Sequence, residues 1–316
     1  MYDRKKPADL IAHERLLSRL PQHHSEYDFV KEKLYQLDAG YAGELRVDKI
    51  IPEIHLPQET KIIADLSFEF IQNHFIQIDT LILTKKGIIM LEIKNYAAGK
   101  VDFNEDLGKT VRTTNELETK MFDCAVDQVD RTVQGLNKVL CKLEINLPVF
   151  PIIVMANPQA IVVRKPKNLQ LNYTKQLPRK IRMLLQRQQE QANVQIEEIY
   201  EKLMKSAHKR TYLPLCQRYG ISMQDLRKGV LCNQCNLPIV RKKWHSWKCE
   251  NCERPLHKIA EDSLLDWFYL VDGQITNRAA REFFELENAR QANYFLNKAN
   301  LMKKGHARGR YYELNM

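Results

Sequence analysis

Residues 74–96 read HFIQIDTLILTKKGIIMLEIKNY, and they decide the fold of the first half of the chain. Two apolar runs flank the polar stretch TKKG at 84–87, a pattern that predicts two β-strands joined by a tight turn. Because side chains two apart on a strand face the same side, Glu92 and Lys94 project together, and Asp79 lies on the partner strand. Burial of charged groups on such an apolar hairpin costs free energy unless the groups have a function. We therefore expect these residues to form a chemically active site.

Length and composition fit a globular protein with more than one domain. The chain has 316 residues, of which 44% are hydrophobic and 28% are charged. Its net charge of +10 favours an anionic partner such as nucleic acid or a membrane surface. No apolar run is long enough to span a bilayer, and the charged N-terminus lacks the hydrophobic segment of a signal peptide. We therefore expect a cytoplasmic protein whose partner is nucleic acid rather than a membrane.

Hydrophobic patterns around the hairpin predict an α/β fold. Apolar residues recur at helical spacing from residue 26 to about residue 54, and Gly40 and Gly43 within this helix are expected to allow close packing. The other elements predicted in this half are strands at 60–72, 99–104, 147–155 and 160–163, a polar loop at 105–116 and a helix at 121–143. This order predicts a mixed sheet with helices on both sides.

The following stretch is strongly basic. Residues 164–189 contain eight Lys or Arg residues and no acidic residue. Such a run indicates either a solvent-exposed face or a contact with nucleic acid. A polar helix is predicted at 186–209, and a boundary is predicted within 210–230.

Four of the seven cysteines form two CxxC pairs, CNQC at 232–235 and CENC at 249–252, with 13 residues between the pairs. Each pair can supply two thiolates, and four thiolates suit tetrahedral zinc. A thioredoxin-like redox motif is the alternative, but it lacks the surrounding βαβ pattern and does not explain two pairs. The spacing predicts a structural zinc ribbon. Its ligands are Cys232, Cys235, Cys249 and Cys252.

The C-terminal segment resembles a winged helix-turn-helix. ITNRAAREFF at 275–284 predicts a first helix, NARQANYFLNKANL at 288–301 a recognition-type helix, and MKKGHARGRYYEL at 302–314 a basic hairpin wing. The second helix is expected to contact base edges and the wing to contact phosphates. The residues expected to do so are Arg290, Gln291, Asn293 and Asn297 on the helix and Lys303, Lys304, Arg308 and Arg310 on the wing. Use of the same fold for protein contacts is the alternative.

With these parts identified, the first half of the chain resembles the NERD domain, the nuclease-related domain of bacterial proteins. The resemblance covers about residues 37–158. It is carried by AGYAGE at 39–44, by QIDTLILTKKGIIMLEIKNYAAG at 77–99 and by Gln128 in the following helix. NERD domains are grouped with the PD-(D/E)xK nucleases of the restriction-endonuclease-like fold, and a zinc ribbon after a NERD domain is a known arrangement in that family.

The resemblance implies a set of catalytic residues. They are Glu44, Asp79, Glu92, Lys94 and Gln128. Asp79 matches the motif Asp, although Ile rather than Pro precedes it, which makes the signature less specific. Asp79, Glu92 and the carbonyl of Ile93 would hold Mg²⁺ or Mn²⁺, because these ions prefer oxygen ligands. The metal would activate a water molecule and Lys94 would orient it.

The sequence therefore predicts a metal-dependent nuclease that acts on DNA in preference to RNA. The alternative is a catalytically silent NERD-fold protein with a DNA-binding or regulatory role. The predicted parts are a helical leader at 1–36, the NERD domain at 37–160, a basic helical connector at 161–228, the zinc ribbon at 229–258 and the winged-helix-like domain at 259–316.

Overall fold

The structure is a computed structural model that describes residues 4–191, 194–208, 213–232, 235–239, 241–243, 246–247, 249, 251–252 and 259–315. The side chains of residues 241–243, 246–247, 259–261, 298 and 308 lie outside this description. The described chain forms two compact units. Unit 1 comprises the described residues of Met1–Lys5 and Asp38–Arg210, and unit 2 those of Lys6–Leu37 and Thr211–Met316. The longer segment of unit 1 therefore lies between the two segments of unit 2, and its short segment precedes both.

The helices and strands follow in chain order. Up to residue 208 they are α1 (Ala8–Arg19), α2 (Tyr27–Ile50), β1 (Lys61–Ile71), β2 (His74–Thr84), β3 (Gly87–Lys94), β4 (Gly99–Asn104), β5 (Lys109–Thr113), β6 (Thr119–Asp123), α3 (Ala125–Lys142), β7 (Val149–Met155), β8 (Ala160–Arg164), β9 (Gln170–Tyr173), α4 (Leu177–Arg187) and α5 (Ile196–Ser206). After residue 213 they are α6 (Leu215–Tyr219), β10 (Arg241–Lys243), β11 (Ser246–Trp247), α7 (Ile259–Leu270), β12 (Ile275–Thr276), α8 (Asn277–Phe284), α9 (Ala289–Lys298), β13 (Leu301–Lys304) and β14 (Tyr311–Leu314). Within the described residues, no helix is long and apolar enough to cross a membrane.

A five-stranded sheet in the order β1-β2-β3-β7-β9 forms the centre of unit 1. β1, β2 and β3 pair antiparallel, whereas β3, β7 and β9 pair parallel, so the sheet is mixed. Helices α3 and α5 pack on one face of the sheet, and α2 and α4 pack on the other. A second sheet has the order β6-β5-β4-β8. The predicted α/β fold, with a mixed sheet between helices, is confirmed.

The hairpin predicted from residues 74–96 is confirmed as β2 and β3. The two strands pair up to Thr84↔Gly87 at the turn. Gly87 has a φ of +135°, and a Cβ there would lie 2.7 Å from the carbonyl oxygen of Pro148, so glycine is required. Almost all of β3 is buried, because helices cover both faces of the sheet.

Two stretches differ from the sequence prediction. Residues 105–116, predicted as a polar loop, contain β5. Thr110 is the one buried position of this strand, so no apolar alternation marks it in the sequence. The polar helix predicted at 186–209 is two helices, since α4 ends at Arg187 and α5 begins at Ile196.

Two predicted boundaries also differ. The helix predicted from residue 121 begins at Ala125, because β6 occupies the residues before it. The stretch predicted as a connector, 161–228, supplies most of β8 and all of β9 to the two sheets of unit 1. The division of the chain into five parts stays a prediction.

Unit 2 has its own hydrophobic core. The core includes Leu16 of α1, Trp267 of α7 and Phe295 of α9. Arg19 is fully buried there and donates from Nε to Asp266 Oδ2 at 2.7 Å. Because a buried charge requires a partner, this ion pair ties α1 to α7.

The helices and hairpin predicted for residues 275–314 are present. They are α8, α9 and the antiparallel pair of β13 and β14, to which β12 adds a third strand. Thr276 caps α8 by accepting from the N–H of Ala279, and Asn288 caps α9 by accepting from the N–H of Gln291. The winged-helix assignment itself stays a prediction.

Candidate functional site

The strands of the hairpin separate at the end opposite the turn, and polar side chains gather there. Pairing of β2 with β3 ends at Thr80↔Leu91, whereas β3 stays paired with β7 as far as Lys94. Just beyond the last β2–β3 pair, the backbone N–H of Ile93 donates to Asp79 Oδ2 at 2.7 Å. The carboxylate of Asp79 therefore lies where the two strands part.

Glu92, Lys94 and Gln128 meet close to this carboxylate. Lys94 Nζ donates to Glu92 Oε1 at 2.8 Å and to Gln128 Oε1 at 2.7 Å. Glu92 is 2% exposed, and Gln128 lies in the first turn of α3. The structure thus brings together four of the five predicted catalytic residues, with Lys94 joining strand to helix.

The crowded charges shift the pKa values of this cluster. Loss of solvation raises the pKa of Asp79 well above its usual range, and the negative charges of Glu92 and Glu44 raise it further. Burial acts to lower the pKa of Lys94, but the charge and hydrogen bond of Glu92 outweigh this effect and the pKa is raised. Lys94 is therefore a cation at neutral pH.

Helix α2 approaches this end of β3 because Gly43 has no side chain. A Cβ at Gly43 would lie 2.6 Å from Cβ of Asn95, the residue after β3. Asn95 Nδ2 donates to the carbonyl oxygen of Ala39 at 2.6 Å, and Asn95 Oδ1 accepts from Arg46 Nη1 at 2.9 Å. A Cβ at Gly40 would meet no described atom within 4 Å. Of the two glycines predicted to allow close packing, Gly43 does so and Gly40 does not.

Glu44, the fifth predicted residue, is held by an arginine that sequence reasoning missed. Arg4 is 7% exposed and donates from Nη1 to Glu44 Oε2 at 2.8 Å. Its Nε donates to Asp48 Oδ2 at 2.8 Å, and its Nη2 donates to Thr80 Oγ1 at 2.7 Å. Glu44 and Asp48 are four residues apart and share a helix face, which is the one signal in the sequence. Arg4 begins the run Arg-Lys-Lys at 4–6, before α1, and gave no signal.

The region that contains this cluster matches a known family. Residues 39–156 match the model of the family described as the nuclease-related domain, NERD. These residues are a NERD domain. The match includes all five predicted catalytic residues, and the resemblance stated from the sequence is confirmed. No curated protein and no solved structure matches the chain.

The NERD domain offers oxygen ligands for a hard divalent cation. Asp79 and Glu92 supply carboxylates, and Ile93 between Glu92 and the lysine supplies a carbonyl, a donor set that suits Mg²⁺ or Mn²⁺. Loss of solvation is the main cause of the raised pKa of Asp79, and the negative charges of Glu92 and Glu44, which raise it further, are charges that a cation would balance. Within the described residues, only the four cysteines place three or more His, Cys, Asp or Glu ligand atoms within 4.8 Å of one another. A cation at the NERD site would therefore also need backbone or water oxygens.

The four paired cysteines form a compact cluster in unit 2. Their sulfur atoms all lie within 4.8 Å of one another. Sγ of Cys232 is 3.8 Å from Sγ of Cys252, and Sγ of Cys235 is 3.3 Å from Sγ of Cys249. Four thiol groups gathered in this way fit tetrahedral zinc, as the spacing predicted.

The residues predicted to contact bases lie on α9 and are not equally available. Arg290, Asn293 and Asn297 are exposed. Gln291 is 6% exposed, its Oε1 accepts from the N–H of Glu287 at 2.8 Å, and its Nε2 donates to Glu287 Oε2 at 3.1 Å. In the structure the amide of Gln291 is therefore bonded to Glu287 in the turn before α9, and its contact with a base stays a prediction.

The residues predicted to contact phosphates lie on or near β13 and β14. Lys303, Lys304 and Arg310 are exposed. Lys304 Nζ pairs with Glu313 Oε2 at 2.6 Å across the hairpin. The side chain of Arg308 lies outside the described residues.

Proposed function

We propose that the NERD domain is a divalent-metal-dependent nuclease that hydrolyses phosphodiester bonds in DNA. The observation that carries the proposal is the meeting of Asp79, Glu92, Lys94 and Gln128 where β2 and β3 separate. Two carboxylates beside an ammonium group suit hydrolysis of an anionic ester. The carboxylates can hold a metal cation, and the ammonium group can stabilise the negative charge that develops in the reaction.

Each residue of the cluster has a role in this mechanism. Asp79, Glu92 and the Ile93 carbonyl would hold Mg²⁺ or Mn²⁺, which when bound neutralises charge on the scissile phosphate and lowers the pKa of water. Lys94, whose pKa is raised, keeps its proton and orients the attacking water. Gln128 accepts from Lys94 Nζ and so fixes its direction. Glu44 would complete the site directly or through water.

The test is a cleavage assay on purified full-length protein with duplex DNA, single-stranded DNA and RNA, each with and without Mg²⁺ or Mn²⁺. We expect metal-dependent cleavage of DNA, and we expect Asp79→Ala and Lys94→Ala each to reduce it by at least a hundredfold. Asp130→Asn is the matched control, because this carboxylate is exposed on α3 and bonds Gln134 instead. Undiminished cleavage by both site variants would refute the proposal. Faster cleavage of RNA than of DNA would show that RNA is the preferred substrate.

A second candidate is a DNA-binding or regulatory protein with a silent NERD domain. It is favoured by the exposed positions of Arg290, Asn293 and Asn297 on α9 and of Lys303 and Arg310 near it in sequence. In this reading unit 2 contacts bases and phosphates without cleavage.

Gel shifts separate the two candidates. Salt-sensitive binding of DNA without cleavage at any metal concentration would favour the second. Arg290→Ala with Lys303→Ala should then weaken binding, whereas Lys202→Ala with Lys205→Ala, which removes two lysines paired to glutamates on α5, should not.

A further inference from the structure

The second sheet of unit 1 packs against the chain just after β3, where Lys94 ends the strand. Thr110 of β5 pairs with Phe103 of β4 and with Phe122 of β6. Residues directly opposite each other in antiparallel strands face the same side of a sheet, so these three side chains share one face. The rings of the two phenylalanines meet the ring of Tyr96, with centroids 6.4 Å and 5.0 Å away. Thr110 therefore lies on the face that covers Tyr96.

Thr110 uses its hydroxyl group to join two other elements. It is fully buried, and its Oγ1 accepts from the backbone N–H of Ala125 at 3.2 Å. The same hydroxyl group is hydrogen-bonded to the hydroxyl of Tyr96. Ala125 is the first residue of α3, and Tyr96 is the second residue after β3. A single buried threonine thus connects the end of β3 to the start of α3.

The bond to Ala125 helps to position the first turn of α3. The first N–H groups of a helix have no partner within it, and a Ser, Thr, Asp or Asn at the preceding position usually supplies an oxygen there. In this helix the preceding position is Cys124. Thr110 supplies such an oxygen from a neighbouring strand, so the second sheet takes part in fixing the start of α3.

Both ends of this connection lie beside the catalytic cluster. Gln128 follows Ala125 by three residues, and its Oε1 accepts from Lys94 Nζ. Loss of solvation raises the pKa of Tyr96, and the positive charge of Lys94 opposes this rise, which places the two side chains near each other. The bond between Lys94 and Gln128 and the hydroxyl group of Thr110 therefore join the same strand end to the same helical turn.

We propose that Thr110 is a positioning residue of the NERD site. By joining Tyr96 to Ala125, it sets the distance between the end of β3 and the first turn of α3, and thereby the direction in which Gln128 holds Lys94 Nζ. The inference rests on the proposed function, because a misdirected Lys94 slows cleavage only if this residue orients the attacking water. Thr110 is fully buried, so its effect on a substrate passes through these partners.

The test compares steady-state cleavage of duplex DNA by full-length variants. Thr110→Val keeps the branched side chain and removes the hydroxyl group, and we expect kcat to fall about tenfold because a catalytic group is displaced. KM and the affinity for Mn²⁺, measured by isothermal titration calorimetry, should stay within about twofold, because Thr110 sets the direction of Lys94 rather than the binding of DNA or metal. Thr110→Ser, which restores a hydroxyl group, should recover most of the rate.

Two further variants complete the comparison. Tyr96→Phe keeps the buried ring and removes one partner of Thr110, so it should also lower kcat, and it tests the same connection if Thr110→Val does not fold. Thr84→Val is the matched control. It removes a buried hydroxyl group that donates to the carbonyl oxygen of Gly87 at 2.9 Å, at the turn end of the hairpin, and should leave kcat unchanged.

A measurement that needs no cleavage separates this inference from the proposed function. If Thr110 sets the contact between Lys94 and Gln128, the losses of melting temperature caused by Thr110→Val and Gln128→Ala should be less than additive in the double variant. The losses caused by Thr84→Val and Gln128→Ala should add. Non-additive losses in a protein that never cleaves DNA support the positioning role and refute the nuclease.

Three outcomes would overturn the inference. Additive losses for Thr110→Val and Gln128→Ala do so whatever the cleavage assay shows. An unchanged kcat in a folded Thr110→Val protein also does so, as does a lowered kcat that Thr110→Ser fails to recover.

Discussion

Arg4 Nη1 donates to Glu44 Oε2 at 2.8 Å and joins residues forty positions apart in sequence. Loss of solvation raises the pKa of the Glu44 carboxyl, and the charge of Arg4 opposes this rise. Through Thr80, the same guanidinium group also reaches the residue beside Asp79 on β2. The N-terminal segment is therefore part of what fixes α2 against the hairpin.

Removal of Arg4 should destabilise unit 1. Arg4→Ala leaves Glu44, Asp48 and Thr80 without this donor, and we expect the free energy of unfolding to fall by about 3 kcal/mol. Urea unfolding followed by circular dichroism measures the change. Lys6→Ala, which breaks an exposed pair with Glu14, should cost at most about 1 kcal/mol. Equal losses in the two variants would contradict the role given to Arg4.

The two glycines of α2 should respond in opposite ways to alanine. Gly43→Ala forces a Cβ against Asn95 and should cost about 1–3 kcal/mol, because α2 must move away from β3. Gly40→Ala meets open space and should stabilise the helix by about 1 kcal/mol. Thermal unfolding of both variants gives the comparison. Stabilisation by Gly43→Ala would show that α2 does not need this close approach.

Loss of zinc should destabilise unit 2 as a whole, because Cys232 and Cys249 belong to its hydrophobic core. We expect one zinc ion per chain by atomic absorption. Removal of the zinc by a chelator should lower the free energy of unfolding by about 4 kcal/mol if the free zinc concentration was a thousand times its dissociation constant. All tryptophans of the chain lie within 211–316, so their fluorescence reports on this unit.

Two cysteine variants test the zinc prediction further. Cys249→Ser should mimic the effect of the chelator on unit 2, because it removes one of the four thiolates. Cys141→Ser, at an exposed cysteine outside the cluster, should not. Full stability of the chelated protein would rule out a structural role for the metal.

Unit 2 should lose stability as the pH falls below about 6.5. His13 is fully buried, and burial lowers its pKa below the ordinary value. The unfolded chain therefore binds the proton more readily than the folded chain, so the free energy of unfolding rises with pH, by at most about 1.4 kcal/mol per pH unit. His13→Gln should flatten this dependence, whereas His55→Gln, at an exposed histidine, should leave it unchanged. Tryptophan fluorescence during urea unfolding at several pH values provides the measurement.

The sequence predicted those features that have local signals. Two apolar runs flanking the turn residues TKKG predicted β2 and β3, and the spacing of the cysteines predicted their cluster. β5 has a single buried position, Thr110, so its pairing with β4 and β6 depends on tertiary context that no short window contains.

The candidate site shows the same division. Asp79, Glu92 and Lys94 could be placed together from the hairpin alone, because the two strands are adjacent in sequence. Arg4 could not be placed, since its partners are 40 to 76 residues away and arginine is common on surfaces. Gln291 was predicted to contact a base because it lies in the recognition-type helix, now α9. In the structure its amide is hydrogen-bonded to Glu287 in the turn before that helix.

Because the longer segment of unit 1 lies between the two segments of unit 2, it is synthesised before the second segment of unit 2. Helix α1 is synthesised before its packing partner α7, which begins only at Ile259. At ordinary rates of translation, roughly 10 to 50 s separate the two helices. During that interval unit 1 can complete its sheets, while the apolar face of α1 remains without its native partner α7.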